Sequence, residues 1–65
     1  SARLNARRSL VATKDIPKGK IITRDDLTFK RPAHGISPSK IDNVIGKRSK
    51  KKIKEDDIIR EEHIQ

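Results

Sequence analysis

Arg7 and Arg8 stand side by side immediately ahead of Ser9-Leu10-Val11-Ala12. A guanidinium is a planar, permanently charged group with five donors, suited to grip a carbonyl, hydroxyl or carboxylate docked beside it. The same pair also reads as two solvated arginines at a fraying end, and side-chain chemistry alone leaves both readings open. The other reactive groups offer less. The two histidines, His34 and His63, lie in separate local contexts, and neither has the closely spaced companion that a metal site needs. The acid pairs Asp25-Asp26, Asp56-Asp57 and Glu61-Glu62 recur at turns and helix starts, where capping alone places them. Gly19, Gly35 and Gly46 are isolated and form no phosphate loop. There is no Cys, Tyr or Trp, and 65 residues leave little room for a water-excluding acid/base dyad. The chain alone is therefore not read as an enzyme, and no metal or cofactor is expected in it.

The charge balance points outward. Lys and Arg number 17 against 9 Asp and Glu, a formal net charge of +8, with a dense run over Lys47-Arg48-Ser49-Lys50-Lys51-Lys52. Clustered positive charge is enough to contact phosphates. Sequence-tolerant binding of single strands also needs stacking platforms, and Phe29 is the single aromatic residue. No helix-turn-helix, zinc-finger or RNA-binding signature accompanies the run. A solvated Lys/Glu-rich surface is the favoured reading, with a polyanion-binding module as an alternative and no dedicated nucleic-acid role expected.

The elements that must position the arginines are short. Ser9–Ala12 reads as a strand, and Ile16-Pro17-Lys18-Gly19-Lys20 as a turn. Ile21-Ile22 is a brief β pair, and Thr23 is placed to cap a helical turn over Arg24, Asp25, Asp26 and Leu27, its hydroxyl accepting a backbone N–H. Leu27 to Arg31 alternates as a strand, with Leu27 and Phe29 expected on one face. Ser37-Pro38 is a helix start, Ile41, Val44 and Ile45 form one apolar stripe, and Gly46 is a helix stop. Ile58-Ile59 repeats the β pair, and Arg60 to Ile64 repeats the helical turn.

This repetition can be laid out without a gap. Ile16, Ile21, Ile22 and Leu27 match Ile53, Ile58, Ile59 and Ile64 at a constant offset of 37 residues, with Asp25 and Asp26 meeting Glu62 and His63. Neither half can bury its isoleucines alone, so the two should share one core with internal pseudo-two-fold packing. Ile16, Ile21, Ile53 and Ile58 are expected near its centre. The composition, 31% hydrophobic and 40% charged, is that of a small domain with a stability on the order of a few kcal/mol. Residues 1–6 read as a linker remnant from a preceding domain, and residues 7–65 as the domain itself. The absence of cysteine fits a reducing, cytoplasmic setting, and no apolar run is long enough for a membrane span.

The ordered series Arg8-Ser9-Leu10-Val11-Ala12, Asp15-Ile16-Pro17-Lys18-Gly19 and Ile22-Thr23-Arg24-Asp25-Asp26-Leu27 resembles the SAF, or antifreeze-like, domain. Lys30-Arg31-Pro32, Gly35-Ile36-Ser37-Pro38 and Val44-Ile45-Gly46-Lys47 narrow the resemblance to the C-terminal domain of N-acetylneuraminate (sialic acid) synthases. It implies a mainly β fold with short helical turns, the β-clip or pretzel-like fold of type III antifreeze proteins, with internal pseudo-two-fold symmetry. It also implies a preceding barrel that uses Mn²⁺ or Mg²⁺ to condense phosphoenolpyruvate with an N-acetylated amino sugar such as N-acetylmannosamine. In such enzymes the small domain covers the partner subunit's barrel in a domain-swapped homodimer and contributes an arginine to the sugar. That residue would be Arg8 here, with Arg7 the close second. The isolated 65-residue chain is expected to be monomeric. Ice binding is not expected, because Lys14, Asp15 and Lys20 would stand with Thr23 on the face that antifreeze proteins keep uncharged. A SAF module of a pilus or flagellar assembly protein, binding protein or glycan, is the remaining alternative.

Overall fold

The computed structural model describes residues 7–31 and 34–65. The expected linker over residues 1–6, and Pro32 of the family series, lie outside the described residues. Among the described residues there are two regular strands, β1 (Ser9–Ala12) and β2 (Leu27–Lys30). They pair antiparallel with Ser9 opposite Lys30 and Ala12 opposite Leu27. Three 3-10 turns, Arg24–Asp26, Pro38–Asn43 and Glu61–His63, complete the elements of the described residues. The segment after Ser37 is thus a 3-10 helix rather than an α-helix. The Ser37 hydroxyl accepts the Ser39 N–H at 3.3 Å, as the Ser-Pro start predicts. Lys40 leaves helical geometry, with φ −104° and ψ 18°, and Gly46 closes the segment at φ 90°. Val44 of its apolar stripe is buried, and Ile41 and Ile45 are half-buried.

β1 sits in the middle of the fold, and all four of its residues are buried. β2 covers one edge. On the other edge Val11 bridges Ile58, while the Ala12 N–H donates to the Asp57 carbonyl at 3.0 Å and the Ile59 N–H donates to the Leu10 carbonyl at 2.9 Å. The same network reappears 37 residues along. Ile21 bridges Arg48, the Ser49 N–H donates to the Lys20 carbonyl at 2.9 Å, and the Ile22 N–H donates to the Lys47 carbonyl at 2.8 Å. Where the two networks meet, Ile16 and Ile53 exchange both backbone hydrogen bonds, at 2.7 and 2.9 Å. The turn position that needs a left-handed residue is Gly19 (φ 87°) in the first unit and Asp56 (φ 71°) in the second. Asp56 also accepts from Lys30 Nζ at 2.7 Å.

The core is built from Leu10, Ala12, Ile16, Ile22, Leu27, Ile36, Val44, Ile53 and Ile59, with Ile41, Ile45 and Ile64 packed against it. Ile16 and Ile53 are central as expected, but the other two expected centres are not. Ile21 is 43% exposed and Ile58 half-buried, and Ile22 and Ile59 are the fully buried members of each pair. Extended backbone sends neighbouring side chains to opposite faces, so only one isoleucine of each pair can enter the core. Phe29 shares the strand face of Leu27, as alternation predicts, and lies opposite Leu10, but near the end of β2 it is left 41% exposed.

The first 3-10 turn is closed by a capping box between Thr23 and Asp26, with Thr23 as the expected cap. The Thr23 hydroxyl is a donor, giving its proton to Asp26 Oδ2 at 3.1 Å, and the same oxygen accepts the Thr23 N–H at 2.9 Å. A buried carboxylate is an acceptor only, so it recruits every donor within reach. Its equivalent 37 residues along is His63, whose Nδ1 accepts the Arg60 N–H at 3.2 Å.

Candidate functional site

Arg7 and Arg8 are exposed at the entry to β1. They line a cleft of about 400 Å³ whose other wall is Gly35, Ser37 and Pro38. The wall is held from two sides. The Leu10 N–H donates to the Ile36 carbonyl at 2.9 Å, and the Ile36 N–H donates to the Ile59 carbonyl at 3.1 Å. Ile36 is thereby tied between β1 and the second isoleucine pair, with its side chain buried in the core. Gly35 packs directly against this tie. A Cβ at position 35 would run into Ile58 Cγ2 and stand 2.5 Å from the Ile59 carbonyl oxygen.

A second cleft of about 470 Å³ shares Gly35 and Ser37 with the first and continues to Lys40, Arg60, Glu61 and Glu62. The Arg60 guanidinium donates to the His34 carbonyl at 2.9 Å, bridging the outer end of the loop to the third 3-10 turn. His34 is exposed and His63 half-buried, and they serve here as backbone and turn partners. Among the described residues no cluster of three or more His, Cys, Asp or Glu could hold a metal ion. The sequence singled out Arg7 and Arg8, which line the first cleft, but gave no sign of the second, lined by Lys40, Arg60, Glu61 and Glu62. The Gly35-Ile36-Ser37-Pro38 loop joins the two clefts, and its residue types alone carry no sign of what packs behind it.

The basic run is not a flat strip. Arg48 donates to the Gly19 carbonyl at 2.8 Å, and Ser49 is buried, its hydroxyl donating toward the carbonyls of Pro17 (2.9 Å) and Lys51 (2.8 Å). Lys47 and Lys50 to Lys52 are exposed on either side of that anchor.

Burial holds the His63 imidazole below its ordinary pKa, reinforced by the positive charge of Lys51 and opposed by Glu62. The unfolded state therefore binds the proton more readily than the folded state. The stability this group contributes is complete above the unfolded pKa near 6.5 and lost as pH falls through the lower folded value. Urea unfolding at pH 7.5 and pH 5 should show a less stable protein at pH 5. His63→Gln, which keeps a neutral acceptor, should flatten that difference; an unchanged difference would place its origin elsewhere.

A family model described as SAF domain matches residues 7–65. The chain belongs to the SAF domain family. It is 53% identical over 55 residues to an N,N'-diacetyllegionaminic acid synthase of Campylobacter jejuni, covering 85% of this chain and 16% of the relative. It is 37% identical over 54 residues to a pseudaminic acid synthase of the same species, covering 83% of this chain and 16% of the relative. The chain thus spans about a sixth of the length of the curated relatives it matches. Among solved structures, it superposes with a TM-score of 0.88 on the antifreeze protein like domain of the human N-acetylneuraminic acid phosphate synthase gene. That match has 39% identity and covers 94% of this chain and 78% of the other. The mainly β architecture with short 3-10 turns is therefore that of an antifreeze-like domain. Among the described residues no helix is long and apolar enough to cross a membrane.

Proposed function

We propose that the chain is the C-terminal substrate-binding lid of a cytoplasmic synthase that condenses phosphoenolpyruvate with an N-acetylated amino sugar to a sialic-acid-type product. The similarity to an N,N'-diacetyllegionaminic acid synthase and a pseudaminic acid synthase supports this chemistry for the parent protein. The observation that carries the local role is the exposed Arg7-Arg8 pair beside the rigidly tied loop of Gly35, Ser37 and Pro38. In this reading the domain covers the active site of the partner subunit's barrel in a domain-swapped dimer, and Arg8, with Arg7 beside it, donates hydrogen bonds to the amino sugar. The guanidinium orients the sugar for attack without taking part in bond making. The divalent ion, Mn²⁺ or Mg²⁺, belongs to the barrel, and this chain contributes no ligand to it.

In the full-length enzyme, Arg8→Ala is expected to raise KM for the amino sugar about tenfold while leaving KM for phosphoenolpyruvate unchanged. Steady-state kinetics with each substrate varied in turn measures this. Wild-type turnover and sugar KM in the variant would remove Arg8 from the site.

A further inference from the structure

Arg60 is bonded at both its ends. Its backbone N–H is held by His63 Nδ1 at 3.2 Å, and its guanidinium reaches across the cleft rim to the His34 carbonyl at 2.9 Å. His34 opens the loop whose next residues wall the Arg7–Arg8 cleft. The inner part of that loop is fixed by Ile36, which is clamped between Leu10 and Ile59. Of its outer part, His34 and Ser37 are exposed. The Arg60 bond tethers the outer end of the loop to the rest of the fold, and it joins residues 26 apart in sequence.

We infer that Arg60 is a positioning residue: it fixes the 34–37 loop so that the loop and the Arg7–Arg8 pair present one preformed surface to the amino sugar. The inference rests on the proposed lid function and extends it to a residue outside the arginine pair. Arg60 lines the neighbouring cleft, not the one that Arg7 and Arg8 line, so it acts through the loop. A guanidinium suits the task because it stays charged at any working pH and donates in a fixed plane. Loss of such a tether lets the wall sample positions in which the sugar is no longer held against the arginines, and small misplacements cost binding steeply.

The test is a kinetic cycle in the full-length enzyme with Arg60→Ala, Arg8→Ala and the double variant. Arg60→Ala is expected to raise KM for the amino sugar about fivefold to tenfold, with kcat and KM for phosphoenolpyruvate within about twofold of wild type. Arg60→Lys, which can still reach the carbonyl, should recover part of the loss. The double variant should be little worse than Arg8→Ala alone, since the tether matters only through the surface that Arg8 completes. A general structural defect predicts something else: parallel loss of kcat, fully additive losses in the cycle, and a lowered urea midpoint for the 65-residue chain. Any of these, or an unchanged sugar KM in Arg60→Ala, overturns the inference. If Arg8→Ala itself leaves the sugar KM unchanged, the lid reading fails first, and the two failures are told apart by that single variant.

Discussion

Gly35→Ala is expected to cost this domain about 3 kcal/mol, the upper range for forcing one extra carbon into a packed interior. The new methyl would collide with Ile58 Cγ2 and stand 2.5 Å from the Ile59 carbonyl oxygen. Neither obstacle can yield cheaply. Ile59 is fully buried, and its carbonyl holds the Ile36 N–H at 3.1 Å. The backbone of one strand-like segment would have to back away from the other, and the Leu10–Ile36–Ile59 tie would lengthen with it. A domain of this length has on the order of 3–10 kcal/mol in all, so the variant should lose about a third or more of its stability. Gly46→Ala is the matched control: its new methyl meets nothing within 4 Å, and only the left-handed backbone at φ 90° resists it. That should cost about 1 kcal/mol. With no Trp or Tyr in the chain, urea unfolding is best followed by far-UV circular dichroism. Equal losses in the two variants would mean that the close approach of Gly35 to the second isoleucine pair is not tight.

The sequence carried much of this fold because its repeat is written in residue types. The offset of 37 residues between Ile16 and Ile53 reappears as paired hydrogen bonds, down to the turn position that is Gly19 in one unit and Asp56 in the other. β1 was legible to the residue, and so was the capped segment at Ser37, though not its 3-10 pitch. What failed was the side of each isoleucine pair that enters the core. Ile21-Ile22 and Ile58-Ile59 are doublets, and a doublet has no internal phase to say which member points inward. The phase comes from pairing: Ile22 is fixed by Lys47, and Ile59 by Leu10. Phe29 misled for a related reason, since alternation predicts a face but not whether anything covers it. At the site, the arginine pair was visible as chemistry. Its surroundings were not, because Gly35 and Ser37 are brought to it by the long-range backbone bonds of Ile36, which leave no local signature.

Asp26→Ala is the second change expected to have a large effect, about 3 kcal/mol, for a residue that sequence reading treated as one more capping acid. Asp26 is 1% exposed yet charged. Lys20 Nζ donates to its Oδ2 at 2.6 Å, Thr23 gives that oxygen both its N–H and its hydroxyl, and Lys14 Nζ stands 3.9 Å from Oδ1. Burial alone would raise the carboxyl pKa, but the Lys20 hydrogen bond and the two from Thr23 outweigh it, and the net shift is downward. The folded state therefore releases this proton more readily than the unfolded chain. Its contribution to stability is present in full above the ordinary carboxylate range near pH 4 and disappears as pH falls through the lowered value. Wild-type protein should lose stability on going from pH 4.5 to pH 2.5, and Asp26→Ala should lose less over the same interval, because its deficit is already present at pH 7. Lys20→Met tests the assignment from the other side, since it strands the buried carboxylate and should cost about 1–3 kcal/mol while moving the acid transition upward. His63 occupies the matching place in the second half but offers a neutral ring nitrogen, so its pH dependence falls well above that of Asp26. The two halves thus close the same turn by different chemistry, and the wild-type acid-unfolding curve should show both steps. If Asp26→Ala costs less than about 1 kcal/mol at pH 7, the ion pair only balances the burial of its own charge.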